Sequence, residues 1–380
     1  MYDIFTQMGA VWGQQYVLEV ANYFAQGEEP TYETPSFRSW DAFEATAREV
    51  NAVRSGVGIN ELHNFGKYLV KGAGARAWLD RIMAGRVPQP GRLSLTPMLS
   101  PKGKLIGDFT MSCLAEDEFQ LTASYGSQAF HYRWFLQNLD EGVSVENISD
   151  KRNGFQIAGP NAAKVLAACT RSDISDMKFL DVRKMTVGMT DCIVQRVSYT
   201  GDLGFEIYCD PMGQRALWNV LWAAGQDHAM VPFGMRAMMS LRLDKFFGSW
   251  LSEFSPDYTA AETGLDRFIS FKKNTDFIGR AAAEAEKASG PARQLCAFEV
   301  DADDADVNAY EPIWLDGAVQ GFCTSGGYSH YAGKSIALGF VPTDRVAEGL
   351  AVEIEILGQM RPARLITEPL FDADGARMRG

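Results

Sequence analysis

Residues 99–124, LSPKGKLIGDFTMSCLAEDEFQLTAS, are the most informative segment for the architecture of the first half of the chain. Two strand-like runs, LIGDFTMSCL and EFQLTAS, flank the polar turn AEDE, which is the pattern of a β-hairpin. A helix is expected directly afterwards, from about Phe130 to Leu139. The stretch therefore predicts an antiparallel strand pair followed by a helix.

The flanking segments extend this pattern in both directions. Residues 41–55 have apolar residues at helical spacing, residues 67–72 alternate like a strand, and residues 74–85 return to helical spacing. From residue 154 onwards a strand, a Pro-led helix, three strands and a helix at residues 214–225 follow one another. Two passes of this order predict two antiparallel-sheet α+β lobes rather than one doubly wound parallel sheet.

The chain changes character at Gly290-Pro291. Beyond this point it consists of short strand-like runs separated by turn signals: QLCAFEV, PIWLDG, GFCTSGG, SIALGFV, AVEIEIL and ARLIT. We therefore predict that residues 1–290 form two intertwined α+β lobes. Residues 291–380 are expected to form a separate β-domain, a sandwich or a barrel by strand count.

Composition and charge narrow the function classes. The 380 residues are 46% hydrophobic and 22% charged, as in soluble globular proteins, and this length predicts two to three domains. The formal net charge of −12 repels phosphate backbones and anionic lipid headgroups, so neither nucleic acid nor a membrane is an expected partner. Because no long apolar run or signal-peptide pattern occurs, a cytoplasmic or organelle-matrix protein is predicted.

Common metal and nucleotide motifs are not found in the sequence. The six cysteines and four histidines are scattered without disulfide or metal-ligand spacing, so we expect buried free thiols and no protein-held metal. The run GAGARA, residues 72–77, loosely fits a dinucleotide fingerprint. The preceding strand, KYLVK, is charged and alternating rather than continuously apolar, which disfavours a Rossmann domain.

Several longer motifs occur together and in order: VGINELHNFGKYLVKG, TPMLSPKGKLIGDFT, VSYTGDLGFEIY, SLRLDKFFGSW, AAETGLDRFISF and TSGGYSHYAGKSIALGFVP. From about Val11 to Arg379 the chain resembles the aminomethyltransferase family, which contains the glycine cleavage T protein and the folate-binding half of dimethylglycine and sarcosine dehydrogenases. The resemblance implies a three-domain ring with a C-terminal β-barrel and tetrahydrofolate in its central channel. It also implies transfer of a one-carbon unit from an amine to tetrahydrofolate.

Asp108, in LIGDFT, matches the catalytic aspartate of that family. A carboxyl group within an apolar strand is costly to bury unless it is paired or functional, so its position needs a reason. The resemblance implies that Asp108 acts at the reacting centre. A hydrogen-bonded aspartate at a strand end is the structural alternative.

The resemblance places five further residues at the folate: Glu206, Tyr199, Arg242, Met98 and Trp250. Glu206 matches the carboxylate that binds the pterin, and such a group accepts two parallel hydrogen bonds from the pterin amide N–H and amine. Tyr199 matches a tyrosine beside the pterin, with a core tyrosine as the alternative. Arg242 would pair with a carboxylate of the folate, or internally with Asp244 or another acid. Met98 and Trp250 would line the folate channel, with core packing as the alternative.

Two departures from the family pattern affect the predicted function. The T proteins carry an Arg-Asp pair where this chain has Met238 and Met239, and an asparagine where it has Ser124, followed by Tyr125. Both changes favour the dehydrogenase-type branch, whose flavin domain has no counterpart in this sequence. We therefore predict a tetrahydrofolate-dependent one-carbon transferase or demethylase that acts on a small methylated amine or onium compound, alone or with a separate flavoprotein.

Two alternatives stay open at this point. The first is the glycine cleavage aminomethyltransferase itself, which would need a lipoylated carrier protein for turnover. The second is a non-catalytic folate-binding accessory protein of the same fold. That class is expected to carry Lys-Gly-Cys-Tyr-x-Gly-Gln shortly after the Leu-Arg segment, and this motif is absent.

Overall fold

The structure is a computed structural model that describes residues 1–38 and 40–380. Within these residues the α-helices are α1 (Tyr2–Gln7), α2 (Phe43–Ser55), α3 (Ala75–Ile82), α4 (Gln128–Gln137), α5 (Ala162–Cys169), α6 (Gln214–Gln226), α7 (Met235–Leu243), α8 (Arg280–Ser289) and α9 (Ala376–Arg379). The strands are β1 (Ala10–Gln15), β2 (Leu18–Phe24), β3 (Gly58–Glu61), β4 (Phe65–Lys71), β5 (Leu93–Leu99), β6 (Leu105–Ala115), β7 (Glu118–Ser124), β8 (Ser144–Asn147), β9 (Asn153–Ala158), β10 (Val182–Val187), β11 (Thr190–Gln195), β12 (Gly204–Cys209), β13 (Val231–Pro232), β14 (Arg293–Val300), β15 (Pro312–Leu315), β16 (Ala318–Ser329), β17 (Lys334–Pro342), β18 (Ala351–Ile356) and β19 (Gln359–Ile366).

The first lobe is built on a five-stranded antiparallel sheet in the order β5-β6-β7-β4-β8. Its centre is the predicted hairpin, β6 and β7, in which Thr110 pairs with Thr122. On one face of the sheet Phe109 packs in a buried core with Trp78 of α3 and Phe135 of α4. Because side chains alternate along a strand, Thr110 and Thr122 lie on the other face, which is turned towards the second lobe.

The second lobe contains a six-stranded sheet in the order β10-β11-β12-β9-β3-β13. Helices α5 and α6 cover one face, where Phe155, Ile207 and Leu217 share a buried core. Strand β3 precedes the first lobe in sequence but pairs with β9 of the second, so the chain passes from one lobe to the other and back. The sheet is antiparallel except at its edge, where the short β13 runs parallel to β3.

The C-terminal strands form a closed barrel in the order β14-β17-β16-β15-β18-β19. All six strand-like runs predicted from the sequence are strands of this barrel. The barrel core is apolar and includes Phe298, Ile313, Ile354 and Leu365. The predicted fold class, two antiparallel-sheet α+β lobes plus a barrel, is confirmed; the division of the chain at residues 290 and 291 into domains stays a prediction.

The lobes and the barrel contact one another in a cycle. The two sheets meet through β6 and β10, and α7 of the second lobe packs against β16 and β17 of the barrel. The ring of Tyr258 lies 4.4 Å from the ring of Phe340 in the barrel, while its carbonyl accepts a hydrogen bond from Leu105 of the first lobe. This cycle has the form of the predicted three-part ring.

The cysteine side chains and the helix lengths complete the description of the fold. All six cysteines are buried and free, as predicted. In the part of the chain that the structure describes, no helix is both long enough and apolar enough to span a bilayer.

Candidate functional site

The candidate site lies between the inner faces of the two sheets. On β12, Phe205 and Ile207 point into the core of the second lobe, so the intervening Glu206 faces the first lobe. On β6, Phe109 points into the core of the first lobe, so the preceding Asp108 faces the second. Strand alternation therefore turns both predicted carboxyl groups towards the same interior.

Glu206 is held by residues that the sequence analysis did not identify. The Tyr208 hydroxyl donates a hydrogen bond to Glu206 Oε2 at 2.8 Å. Lys67, on β4 of the other lobe, has its Nζ 5.9 Å from the centre of the Tyr208 ring and donates to the Phe65 carbonyl at 3.0 Å. Both Tyr208 and Lys67 are fully buried, so this group brings a cation and a carboxyl into the space between the lobes.

Burial brings the titration of Glu206 and Lys67 close to neutral pH. It raises the pKa of the Glu206 carboxyl to about 7, because the ionised form loses hydration. The hydrogen bond from Tyr208 and the charge of Lys67 oppose this rise. Burial also lowers the pKa of Lys67 to about 7, although the negative charges of Glu206, Asp150 and Glu61 act to raise it. A charged ligand that binds between the lobes would therefore change the protonation of this pair.

Asp108 lies half-buried on β6, where it pairs with Pro97 of β5. A Cβ on the preceding Gly107 would lie 2.5 Å from the Phe109 ring and 2.8 Å from His131 Nε2, so this position requires glycine. Burial raises the pKa of Asp108 to about 6. At neutral pH the carboxylate is mostly ionised, but it can accept a proton more readily than an exposed aspartate.

The structure brings Tyr199 near Asp108. The Tyr199 hydroxyl donates to the Gly248 carbonyl at 2.6 Å, and its ring is stacked on Phe247 with centres 6.0 Å apart. Burial raises the pKa of Tyr199 above its usual range, and the nearby Asp108 carboxylate adds to the rise. Tyr199 and Phe247 therefore form an aromatic wall beside the predicted catalytic carboxyl group.

Both terminal nitrogens of the Arg242 guanidinium donate hydrogen bonds to protein groups, while the buried Nε has no partner among the described residues. Nη1 donates to Glu253 Oε2 at 3.1 Å and to the Phe247 carbonyl at 2.9 Å, and Nη2 donates to Ser325 Oγ of the barrel at 2.7 Å. The residue is 1% exposed. Arg242 is therefore paired internally, with Glu253 rather than Asp244 as the acid, and is hydrogen-bonded to the segment that carries Phe247; its contact with a folate stays a prediction.

Met98 and Trp250 are both buried in apolar cores. Pro97, not Met98, pairs with Asp108, so the Met98 side chain points to the opposite face of the sheet and is fully buried in the core of the first lobe. Trp250 is 6% exposed, and its ring lies edge-on to His131 at 5.5 Å. Both residues are packed in apolar clusters, and their predicted place along the folate channel stays a prediction.

The loop that carries Tyr199 is anchored by Arg54, which the sequence analysis did not single out. The Arg54 side chain donates to the carboxylate of Asp202 within the loop, and to Asp244 Oδ2 at 2.7 Å. Its guanidinium also lies 3.7 Å from the centre of the Phe371 ring. A buried arginine shared by two carboxylates fixes the loop between the second lobe and the C-terminal segment.

The inner faces also carry buried polar atoms that have no hydrogen-bond partner among the described residues. They belong to Ser112 and Gln120 on the first sheet and to Gln156 and Gln195 on the second. Buried polar groups in proteins are nearly always paired, so such a cluster is typical of an interior that receives a polar ligand. The available sequence signal was a glutamine set between apolar residues, in FQL and FQI, or directly after an apolar run, in CIVQ.

Two lobes with antiparallel sheets, a closed barrel and a shared polar interior define this fold as that of a glycine cleavage T protein. Residues 1–273 match the family model of the GCVT N-terminal domain, and residues 293–372 match that of the glycine cleavage T-protein C-terminal barrel domain. The chain belongs to this aminomethyltransferase family, as the sequence motifs predicted.

Individual relatives fall into two groups. Human mitochondrial dimethylglycine dehydrogenase is 36% identical over 366 residues, which are 95% of this chain but 42% of that protein, so the chain spans about two fifths of it. The aminomethyltransferase of Koribacter versatilis is 30% identical over 85% of this chain and 87% of its own length. The crystal structure of aminomethyltransferase T from Bartonella henselae shares the fold, with a TM-score of 0.85, 21% identity and coverage of 98% and 97% of the two chains.

Proposed function

We propose that the protein is a tetrahydrofolate-dependent one-carbon transferase or demethylase that acts on a small methylated amine or onium compound. Membership of the aminomethyltransferase family supports a folate-dependent transferase. The observation that carries the proposal is the position of two half-buried carboxyl groups, Glu206 and Asp108, on facing sheets around one polar interior.

The residues of the interior fit a reduced folate. Glu206 offers a carboxylate to the N–H donors of a pterin, and the unpartnered amides of Gln156 and Gln195 offer further hydrogen bonds beside it. When bound, tetrahydrofolate supplies the nitrogen nucleophile, N5, that takes up the one-carbon unit. Tyr208 orients the Glu206 carboxylate, and Lys67 keeps it ionised over a wider pH range.

Asp108 is proposed to act at the reacting centre. Its carboxylate stabilises the positive charge of a methylated amine or onium donor, and it can accept the proton that the reaction releases. Tyr199 and Phe247 exclude water on one side of it. In this assignment Arg242 and Glu253 act indirectly, because they position the segment that carries Phe247.

The form of the one-carbon unit depends on the donor. Direct transfer of a methyl group from an onium compound is redox-neutral and yields 5-methyltetrahydrofolate. Alternatively a flavoprotein oxidises an N-methyl group and delivers an iminium or formaldehyde, which yields 5,10-methylenetetrahydrofolate. The similarity to dimethylglycine dehydrogenase, a longer protein, supports a flavoprotein partner, either separate or joined to this chain.

The glycine cleavage aminomethyltransferase is the second candidate function. It is supported by relatives named aminomethyltransferase that this chain matches over most of their length, among them that of Geobacillus kaustophilus at 28% identity and 94% coverage of that protein. This candidate requires turnover with an aminomethylated lipoyl carrier protein. Turnover of free methylated donors without any carrier would exclude it.

The proposed function is tested by mass analysis of folate products. The protein is incubated with tetrahydrofolate and a panel of methylated amines and sulfonium compounds, each with and without formaldehyde. We expect a donor-dependent methyl- or methylene-tetrahydrofolate that the Asp108→Asn variant forms far more slowly. Tight folate binding without any product across the panel and the lipoyl carrier would instead indicate a folate-binding accessory protein.

A further inference from the structure

Glu206 has a glutamine on each side in the second sheet. Gln195 on β11 and Gln156 on β9 are its direct partners in the antiparallel register, so the three side chains lie on one face in one row. Neighbouring side chains in such a row have Cβ atoms roughly 5 Å apart. The row therefore presents an amide, a carboxylate and an amide along a line that crosses three strands.

Both amides are buried without satisfactory partners. Gln195 is 0% exposed, and neither its Oε1 nor its Nε2 has a hydrogen-bond partner. Gln156 is 1% exposed; its Oε1 is unpartnered, and its Nε2 has a weak contact, at 3.8 Å, with the Met238 sulfur. Because unpaired buried amides destabilise a protein, two of them beside one carboxyl group indicate a surface shaped for a polar ligand.

We propose that Gln195 and Gln156 are specificity-determining residues that bind the two acceptor atoms flanking the donor edge of a 2-amino-4-oxopyrimidine ring, as in a reduced folate. This inference rests on the proposed function. The ring edge offers a carbonyl oxygen, a ring N–H, an amine and a ring nitrogen, in that order: acceptor, donor, donor, acceptor. The row offers amide N–H, two carboxylate oxygens and amide N–H: donor, acceptor, acceptor, donor.

The surrounding contacts keep Glu206 in its place within the row. The Tyr208 hydroxyl occupies one lone pair of Oε2, and the remaining lone pairs of the carboxylate stay available for the ring N–H and amine. An amide can rotate by half a turn to present its N–H group, so both glutamines can complete the pattern whichever way they point before binding. A carboxylate alone would bind the two donors of the ring edge and leave both of its acceptors unpaired.

The test replaces each amide by an apolar side chain of similar shape. Gln195→Met and Gln156→Met are compared with wild type for the dissociation constant of tetrahydrofolate by calorimetry and for the melting temperature without ligand. We expect each variant to bind tetrahydrofolate roughly 10- to 100-fold more weakly, because the ring acceptor loses its donor. We expect the melting temperature without ligand to rise by about 1 to 4 °C, because an unpaired amide has been removed.

Thr46→Val is the matched control. Thr46 is also buried with an unpartnered side-chain oxygen, but it lies on α2, outside the interior between the sheets. It should gain similar thermal stability and keep its affinity within twofold. Gln195→Asn, whose shorter side chain keeps an amide that falls short of the ligand, serves as a second variant and should also lose affinity.

The outcomes separate this inference from the function on which it rests. If wild type binds no reduced folate, the proposed function is wrong. If wild type binds but Gln195→Met and Gln156→Met bind equally well, the assignment of the row is wrong while the function stands. Equal weakening by Thr46→Val would indicate a general effect of substituting buried polar residues, and lower thermal stability of both row variants would give the glutamines a structural role; either result would overturn the assignment.

Discussion

The interior between the two sheets is lined by polar side chains, whereas the interior of the C-terminal barrel is filled by apolar ones. Between the sheets lie Lys67, Glu206 and buried glutamines with unpartnered amides. The barrel is filled by apolar side chains such as Phe298 and Ile354. Among the described residues, none of the unpartnered buried polar atoms lies in that barrel core.

This difference in polarity indicates a different role for each interior. An apolar core gains stability from every buried side chain, whereas a buried amide or carboxyl group without a partner lowers stability. Natural proteins keep such destabilising groups where a ligand or a reaction requires them. We therefore expect the barrel to support the fold and the space between the sheets to hold the proposed site.

The largest effect is expected for Asp108→Asn. Because asparagine keeps the shape but neither carries the charge nor accepts the proton, turnover should fall by roughly 10² to 10⁴ while tetrahydrofolate affinity stays nearly intact. Single-turnover kinetics and calorimetry measure the two quantities. Asp117→Asn, in the exposed turn of the same hairpin, is the control and should leave both unchanged. Collapse of folate binding with normal chemistry would make Asp108 a binding residue.

Phe298→Ala tests whether the barrel core contributes to stability rather than to folate binding. Phe298 is fully buried in the barrel core, and its truncation should lower the free energy of unfolding by about 3 to 5 kcal/mol. Folate affinity measured well below the melting temperature should stay within twofold of wild type. Val319→Ala, at a position 53% exposed on β16, should change stability by less than about 0.5 kcal/mol. A large loss of affinity in Phe298→Ala would mean that the barrel core shapes the site directly.

Unlike Phe298→Ala, the variant Glu206→Gln should lose folate affinity rather than stability. The variant loses charge-assisted hydrogen bonds to the pterin donors, so its binding free energy for tetrahydrofolate should weaken by about 2 to 4 kcal/mol. Calorimetry at pH 8, where most of the wild-type carboxyl is ionised, gives the comparison. Glu353→Gln, exposed on β18 of the barrel, is the matched control. Affinity of Glu206→Gln within twofold of wild type would remove Glu206 from the site.

The smallest expected effect is the pH dependence of stability without ligand. Because the pKa of Glu206 is raised by folding, from an ordinary value of 4.5 to about 7, the unfolded chain releases this proton first. Wild type should therefore lose stability relative to Glu206→Gln as pH rises from about 4.5 to about 7, by up to about 3 kcal/mol, and the difference should then stay constant. Denaturant unfolding at several pH values measures it. A difference that grows as pH falls would contradict the raised pKa.

Local pattern was enough to predict the elements and several of the positions. The hairpin of residues 99–124 combines two strand-like runs with a polar turn, and the six C-terminal strands are short runs between turn signals, so both follow from neighbouring residues. Strand alternation also follows from local sequence, and it turns Asp108 and Glu206 inward. The functional roles of the two carboxyl groups came from the family motifs and stay predictions.

Tertiary structure decided which residues meet in the interior. Lys67 and Tyr208 lie far apart in sequence and on different lobes, and no local signal pairs them; they meet because the two sheets face each other. The same holds for Arg242, whose internal partners Glu253 and Ser325 come from a loop and from the barrel. The strands, the helices and the alternation of each face follow from local sequence, because they depend on short-range sterics and hydrophobic period. The polar interior depends on the packing of lobes and register across strands, so only the folded chain determines it.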